Sequence, residues 1–297
     1  MIIEFNQVSK TFKTGFMLNK KIVLDEFSFS VGKNELCGFL GLNGAGKSTT
    51  LKILMNFLHK DQGIVTLNLP GSTFVEKLNY IGYLPEQPLF PKSFTGLEIA
   101  KYLTSFYQKF SFNRLEFIKY AKQLKIDHAL NNKLSTYSKG MLQRLSFIIS
   151  FIHKPQLLIL DEPFSGLDPI GRLEFKNILK DLNKQEMTIL FTSHIVSELE
   201  EISSSLIVLK DGKNAYSGKI STLLDQHNKN EKVIMVKKDT NINFLLNIIP
   251  GCSIINNSIF VNSKDLNIAI ELLISKKIVI EKISDNQHSL EEVVYDV

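Results

Sequence analysis

The stretch GLNGAGKS, Gly41 to Ser48, constrains what this chain can fold into more than any other feature. It fits the pattern G-x-x-x-x-G-K-[ST], with Gly41, Gly46, Lys47 and Ser48 in the defining places. An apolar run, LCGFL, precedes it, and Leu51, Leu54, Met55 and Leu58 follow at helical spacing. A strand, a glycine turn and a helix in that order let the backbone N–H groups from Asn43, Gly44 and Ala45 through Gly46, Lys47, Ser48 and Thr49 turn inward. Together with the helix dipole they form a cradle for phosphate oxygens. Lys47 is predicted to reach the terminal phosphates, and the Ser48 hydroxyl to ligate Mg²⁺. A glycine-rich turn holding no ligand is the plainer alternative, and it leaves the strand–turn–helix context unexplained.

A second segment supplies the matching carboxylates. PQLLILDEP and MTILFTSH are short continuous apolar runs that end in charged or polar residues. Buried parallel strands read this way, with their site at the C-terminal ends. Asp161 at such an end suits a carboxylate facing Mg²⁺, and Glu162 beside it is the candidate base that orients an attacking water. MIIEFNQVSKTF, KIVLDEFSFSV and YIGYLP read as further strands. Residues from about Phe90 to Leu134 read as mostly helical, and SELEEISSSLIVLKDGKNAYSG as a helix and a hairpin. LDQHNKNEK reads as a polar linker, followed by a small α+β pattern: strand VIMVKK, helix INFLLNII, strands CSII and SIFVNS, helix LNIAIELLISKK and strand IVIEKIS. The boundaries drawn from this are 1–224 for the large domain and 225–297 for the small one.

Composition narrows the setting. A chain of 297 residues with 44% hydrophobic and 22% charged residues is of the globular class. Its net charge of +5 is carried almost wholly by lysine, since only Arg114, Arg144 and Arg172 are arginine. No block of like charge marks a nucleic-acid-binding tail. Cys37 and Cys252 lie far apart and read as buried or incidental thiols in a reducing compartment. The start, MIIEFNQVSK, lacks a signal peptide's basic and apolar regions, and LSFIISFI is too short to cross a bilayer. A cytoplasmic location is expected.

With GLNGAGKS and LLILDEP stand SGLD (Ser165 to Asp168) and TSH, in that order, and the set resembles the ATP-binding subunit of an ABC transporter over nearly all of residues 1–224. The resemblance implies an α/β fold: a P-loop NTPase (RecA-like) core with an antiparallel β subdomain and a helical subdomain at about 89–137, plus the small C-terminal α+β domain. It implies that SGLD lies across a dimer interface and that His194 contacts the γ-phosphate. Two readings of Phe12 stay open: a core aromatic, or the ring placed against adenine. YSKGM, at Tyr137 to Met141, resembles the family signature Leu-Ser-Gly-Gly-Gln. Ser138 and Gly140 are kept, while Tyr137, Lys139 and Met141 replace Leu, Gly and Gln. Ser138 can cap its helix, and the resemblance implies that Ser138 and Gly140 meet ATP held by a partner subunit. In GYLPEQP, Glu86 stands where the family has Gln and is a candidate metal contact, with Gln87 next to it. YSKGM-x-QRL, this Glu86 and the ending SLEEV resemble the ABC-2, drug and bacteriocin exporter branch.

The function these readings imply is an ATPase, with ATP and Mg²⁺, that drives a separate integral membrane permease, in export. It is expected to act as a homodimer or heterodimer of ATPase subunits, peripheral on the inner face of the membrane, with no nucleic acid. Two other classes stay open: a soluble ABC-type ATPase acting on nucleic acid or ribosomes, and a nucleotide-gated sensor or immunity factor.

Overall fold

The computed structural model describes all residues except 15–18, 109, 228–230, 238–241, 286–288 and 297. The chain divides into two compact units, Met1–Ile220 and Ser221–Val297. In the first, three strands form an antiparallel sheet in the order β2-β1-β4: β1 Ile3–Thr14, β2 Asn19–Val31 and β4 Gln62–Leu67. Six others make the central sheet, in the order β5-β6-β7-β3-β8-β9. These are β3 Leu36–Gly41, β5 Ile81–Leu84, β6 Leu157–Leu160, β7 Thr188–Ser193, β8 Ser205–Lys210 and β9 Lys213–Lys219. All neighbours are parallel except the β8–β9 hairpin. Every residue of β3, β6 and β7 is buried, which is why their sequences read as unbroken apolar runs.

Between the two sheets, Phe5 stacks on Phe29 at 4.6 Å and Phe27 on Phe39 at 5.9 Å. The helix after the P-loop, α1 Lys47–Leu54, adds Leu51, Ile53 and Leu54 to the same core. Burial of side chains this size contributes about 1.5–3 kcal/mol each, and it fixes where α1 starts relative to β3. The helix is shorter than its apolar spacing predicts. Its C-cap is Met55, and Asn56 has φ +56°, a left-handed conformation that stops the turn.

The segment read as mostly helical is two helices with loops around them. α2 Phe74–Lys77 precedes it. α3 Gly96–Thr104 begins with a capping box between Thr95 and Glu98, and α4 Arg114–Gln123 is capped by Asn113. Between and after them the chain turns, because Lys125 is left-handed (φ +57°) and residues 127–129 and 134–136 make only single 3₁₀ turns. α5 Lys139–Phe151 then crosses to the sheet, where Phe147 stacks on Phe175 of α6 Pro169–Lys184 at 4.1 Å. α7 Val196–Glu200 follows β7.

Just past α5, buried His153 stacks flat on Tyr107 at 3.6 Å, and its Nε2 lies 3.1 Å from the Ile81 carbonyl. Burial outweighs the carbonyls of Ile81 and Ile149 and pushes its pKa down from 6.5 to about 4. Below pH 6.5 the unfolded chain takes up a proton that the folded chain refuses until about pH 4, so stability falls across that window as pH drops. The loss approaches about 3 kcal/mol. His153→Phe keeps the ring stack without the titration. The wild-type protein's advantage over it in urea midpoint is expected to shrink from pH 7.5 to 4.5, and a constant difference would contradict this.

The second unit has a four-stranded sheet, order β11-β12-β10-β13, from β10 Glu231–Val236, β11 Ser253–Ile255, β12 Ser258–Asn262 and β13 Ile280–Asp285. α9 Leu266–Ser275 packs Ala269 and Leu273 onto Ile234, Ile259 and Val261. The stretch expected to be polar linker begins in a helix, α8 Ile220–His227, with Ile220 and Leu223 buried, and its last residues, Glu231 and Lys232, belong to β10. The middle of that expected linker, residues 228–230, lies outside the described residues, as do 286–288 of the C-terminal stretch. INFLLNII is a 3₁₀ turn, Asn243–Asn247, and not an α-helix. Pro250 disfavours α geometry at Ile249, and Gly251 (φ +76°) closes the segment. At the end, α10 Leu290–Asp296 opens with a capping box in which Ser289 and Glu292 bond each other's backbone N–H.

Candidate nucleotide-binding site

The C-terminal ends of β3, β6 and β7 lie side by side in the sheet, β3 against β7 and β7 against β6. The P-loop, Asp161-Glu162 and His194 each leave one of these ends, so the fold alone gathers them. A cleft of about 840 Å³ opens there, and its walls include Phe12, Asn43, Gly44, Gly46, Lys47, Ser48, Thr49, Glu86, Glu162, Ser165 and His194. Ala45 and Asp161 are not among the lining residues; Asp161 is 3% exposed.

The start of α1 has no side-chain cap, and its cap position is Gly46 at φ +118°. A Cβ at Gly46 would come within 3.0 Å of Val23 Cγ1 and of its carbonyl oxygen, so glycine is required on both counts. Gly44, at φ +83°, has open space around it. Uncapped amides at a helix start facing a cleft are the arrangement that receives an anion. Lys47 is buried, yet its Nζ bonds the Gly41 carbonyl at 2.7 Å and pairs with Glu162 Oε1 at 3.2 Å.

Glu162 stands in the left-handed region at φ +47°, which costs a non-glycine residue roughly a kcal/mol or more and is held by its surroundings. The Glu162 amide donates to Thr192 Oγ1 at 2.8 Å, and the Thr192 hydroxyl donates to Asp161 Oδ1 at 2.9 Å. Glu162 Oε2 meets His194 Nδ1 at 3.0 Å. Burial raises the Asp161 pKa, opposed by hydrogen bonds from Thr192 and Ser48. That pairing puts a hydroxyl and a carboxylate together at the cleft floor, two hard oxygens of the kind Mg²⁺ selects. Among the described residues no group of three or more His, Cys, Asp or Glu could cage a metal by itself.

The sequence reading missed Thr192, whose hydroxyl ties Asp161 to the Glu162 backbone. It also missed Tyr83, whose phenol is pushed up to about 12 by burial and by Asp161 beyond it. Lys13 and Lys21, two exposed lysines beside Phe12 on the cleft, were unread too. Phe12 is half-buried on the cleft wall and outside the core cluster. Of the two residues of GYLPEQP, Glu86 lines the cleft and Gln87 is not among its walls.

Ser138 and Gly140 are not on this cleft. Ser138 is exposed and caps α5, accepting from the Met141 amide at 3.2 Å. A Cβ on Gly140 would meet the Gly166 carbonyl at 3.6 Å, an ordinary contact that excludes no small side chain. Tyr137 has a structural reason: its hydroxyl donates to the Ala129 carbonyl at 2.7 Å, and a Cβ on Gly96 would lie 2.4 Å from that oxygen. Gly96→Ala is expected to destabilise the protein by about 1–3 kcal/mol through overpacking. Adding Tyr137→Phe removes the atom that is struck, so the double variant should lose less than the two single losses combined. Additive urea midpoints would show that the two sites do not touch.

The fold and this site define a P-loop nucleoside triphosphatase. A family model described as ABC transporter matches residues 24–165. An uncharacterised ABC transporter ATP-binding protein of Synechocystis is 35% identical over 241 residues, covering 78% of this chain and 67% of that protein. One of Methanocaldococcus jannaschii is 35% identical over 207 residues, covering 68% and 74%. Among solved structures, the ATP-binding subunit of an ABC transporter superposes with a TM-score of 0.66 at 24% identity, over 76% of this chain and 93% of that one. A dimeric bacterial ABC transporter cassette gives 0.65 at 22%, over 73% and 98%. The chain belongs to the ABC transporter ATP-binding proteins, a family of ATPases.

Proposed function

We propose that this chain binds and hydrolyses ATP to energise a separate integral membrane permease, working in export. The observation that carries the reading is the meeting of Lys47, Ser48, Asp161, Glu162 and His194 in one cleft at the ends of three adjacent strands. The amides from Asn43 to Thr49 and the Lys47 ammonium hold the β- and γ-phosphates, and the Phe12 ring stacks on adenine. Ser48 and Asp161 would hold Mg²⁺, and Glu86, which lines the same cleft just past β5, is a further candidate contact. Bound there, Mg²⁺ supplies charge neutralisation at the phosphate oxygens. Glu162 orients the attacking water and accepts its proton, and His194, hydrogen-bonded to Glu162, faces the γ-phosphate.

Ser138 and the Gly140 amide serve ATP held by the facing subunit of a head-to-tail pair, homodimer or heterodimer. The exposure of Ser138, and the place of both residues apart from the chain's own cleft, support this. Among the described residues no helix is long and apolar enough to cross a membrane. The protein then sits on the inner face of the membrane through that permease. YSKGM-x-QRL, Glu86 and the capped SLEEV helix support the exporter branch, and the unit 221–297 is its accessory domain. The relatives named above are transporter ATP-binding proteins, which weighs against an ATPase of nucleic acid or ribosomes.

The test is affinity purification of a tagged chain from gently solubilised membranes of its own cells. A multi-spanning protein at near-equal stoichiometry is the expected companion. Recovery with ribosomes or DNA, or only in the soluble fraction, would overturn the reading.

A further inference from the structure

Glu198, on α7, is a buried carboxylate that the roles above leave unused. It is 4% exposed, and both of its oxygens are engaged. Oε2 accepts from the Ser193 hydroxyl at 2.6 Å, and Oε1 from Arg172 Nη1 at 3.1 Å. Each partner reaches further. Ser193 Oγ, next to His194 in the chain, accepts from the Ile195 amide at 3.0 Å, so the hydroxyl grips the backbone on the far side of His194. Arg172 also donates through Nε to the Leu167 carbonyl at 3.3 Å, inside SGLD. α7 has no side-chain cap of its own, so this carboxylate and hydroxyl are what tie its first turn to the strand end.

One buried carboxylate thus clamps two loops, the one carrying His194 and the one carrying Ser165 to Asp168. A carboxylate removed from water is costly unless charge and hydrogen bonds compensate it. Packing alone would be served by an apolar side chain at this position. What the charge adds is a defined placement of the two loops relative to each other, and His194 lies between the clamped residues Ser193 and Ile195. The imidazole must present Nδ1 to Glu162 at 3.0 Å while remaining 44% exposed on its side chain, so its own packing does little to hold it.

We propose that Glu198, with Ser193 and Arg172, is a positioning residue for hydrolysis: the clamp sets the loop of His194, and so the His194–Glu162 pair, in register with SGLD. This deepens the ATPase reading above and rests on it. The clamp acts on cleavage and leaves nucleotide capture to the P-loop.

The experiment compares Glu198→Gln and Ser193→Ala, each alone and combined with His194→Ala. Single-turnover ATP hydrolysis with protein in excess reads the slow rates, and a fluorescent ATP analogue reads binding. Glu198→Gln keeps the side chain's shape and one acceptor oxygen, and Ser193→Ala removes a single hydroxyl, so both are expected to fold with near-native melting temperatures. Each should lower the single-turnover rate roughly tenfold, the size of a coupling within one hydrogen-bonded network, with the binding isotherm unchanged. In the His194→Ala background the same changes should cost less than about twofold, because nothing remains to be positioned. Equal factors in both backgrounds, or a fall in binding that matches the fall in rate, would overturn the proposal. A readout without turnover is the Nδ1 resonance of His194 in ¹⁵N-labelled protein, which should shift in both variants; an unmoved resonance counts against the clamp. Wild-type protein that binds no ATP, or binds without cleaving it, would instead defeat the ATPase reading on which this rests.

Discussion

Glu162→Gln is expected to lower steady-state ATP hydrolysis by about 10²–10⁴-fold, the span a general base contributes, while ATP binding persists. The substitution isolates the charge. Glutamine has the same length and branching, so it can occupy the left-handed backbone position at φ +47° as glutamate does. The amide bond from residue 162 to Thr192 Oγ1 and the bond from the Ser165 amide to the residue 162 carbonyl do not involve the side chain and survive. What goes is the carboxylate that pairs with Lys47 at 3.2 Å and with His194 at 3.0 Å. Losing a negative charge beside the P-loop also removes repulsion toward a triphosphate, while the Gly41 carbonyl still holds Lys47, so affinity for ATP should hold or rise. In a head-to-tail pair, bound and uncleaved ATP would keep two subunits together. Gel filtration with ATP should then show a dimer in the variant and a smaller species in the wild type. Hydrolysis at the wild-type rate would remove Glu162 from the role of base.

The parts of this site that the sequence made legible are those whose geometry is local. GLNGAGKS places a glycine turn, a lysine and a hydroxyl within eight residues, and a strand and a helix at its flanks are enough to orient them. LLILDEP and TILFTSH were readable because a strand buried on both faces is mostly apolar along its length and turns charged or polar where it ends. Thr192 was not readable. A threonine inside an apolar strand is ordinary, and its meaning comes from β6 lying beside β7, which brings its hydroxyl to Asp161. Lys13 and Lys21 escaped for the same reason, since only the β1–β2 pairing of Phe12 with Lys21 puts them at one cleft. Arg172 and Glu198 are 26 positions apart and become partners only when α6 and α7 fold over the sheet. The missed loop after α3 and the helical start of the expected linker are failures of another kind. Apolar spacing locates a buried face, but left-handed residues and short 3₁₀ turns decide where a helix stops.

Lys47→Ala is expected to fail one step earlier than Glu162→Gln, at capture of the nucleotide. The Lys47 side chain lies across Gly41, where a Cβ would be 3.4 Å from its Cγ, and the ammonium is fixed by the Gly41 carbonyl at 2.7 Å and Glu162 at 3.2 Å. A buried cation held ready by two acceptors loses little freedom when a phosphate arrives, so its charge is preorganised for binding. A charge-assisted hydrogen bond of this kind contributes about 1.5–3 kcal/mol, so its removal should raise the Kd for ATP by about 10–150-fold. Titration of a fluorescent ATP analogue measures this directly. Folding is a separate matter, because alanine leaves Glu162 without its cation in a half-buried place. The melting temperature of the variant without nucleotide shows whether a loss of binding is a loss of structure. Arginine at position 47 would keep the charge but spread it over a planar fork that cannot occupy the same point between Gly41 and Glu162, so Lys47→Arg should rescue binding only in part. A wild-type isotherm for Lys47→Ala in a folded protein would mean that the triphosphate is not held at this P-loop, and the assignment of the whole cleft would fall with it.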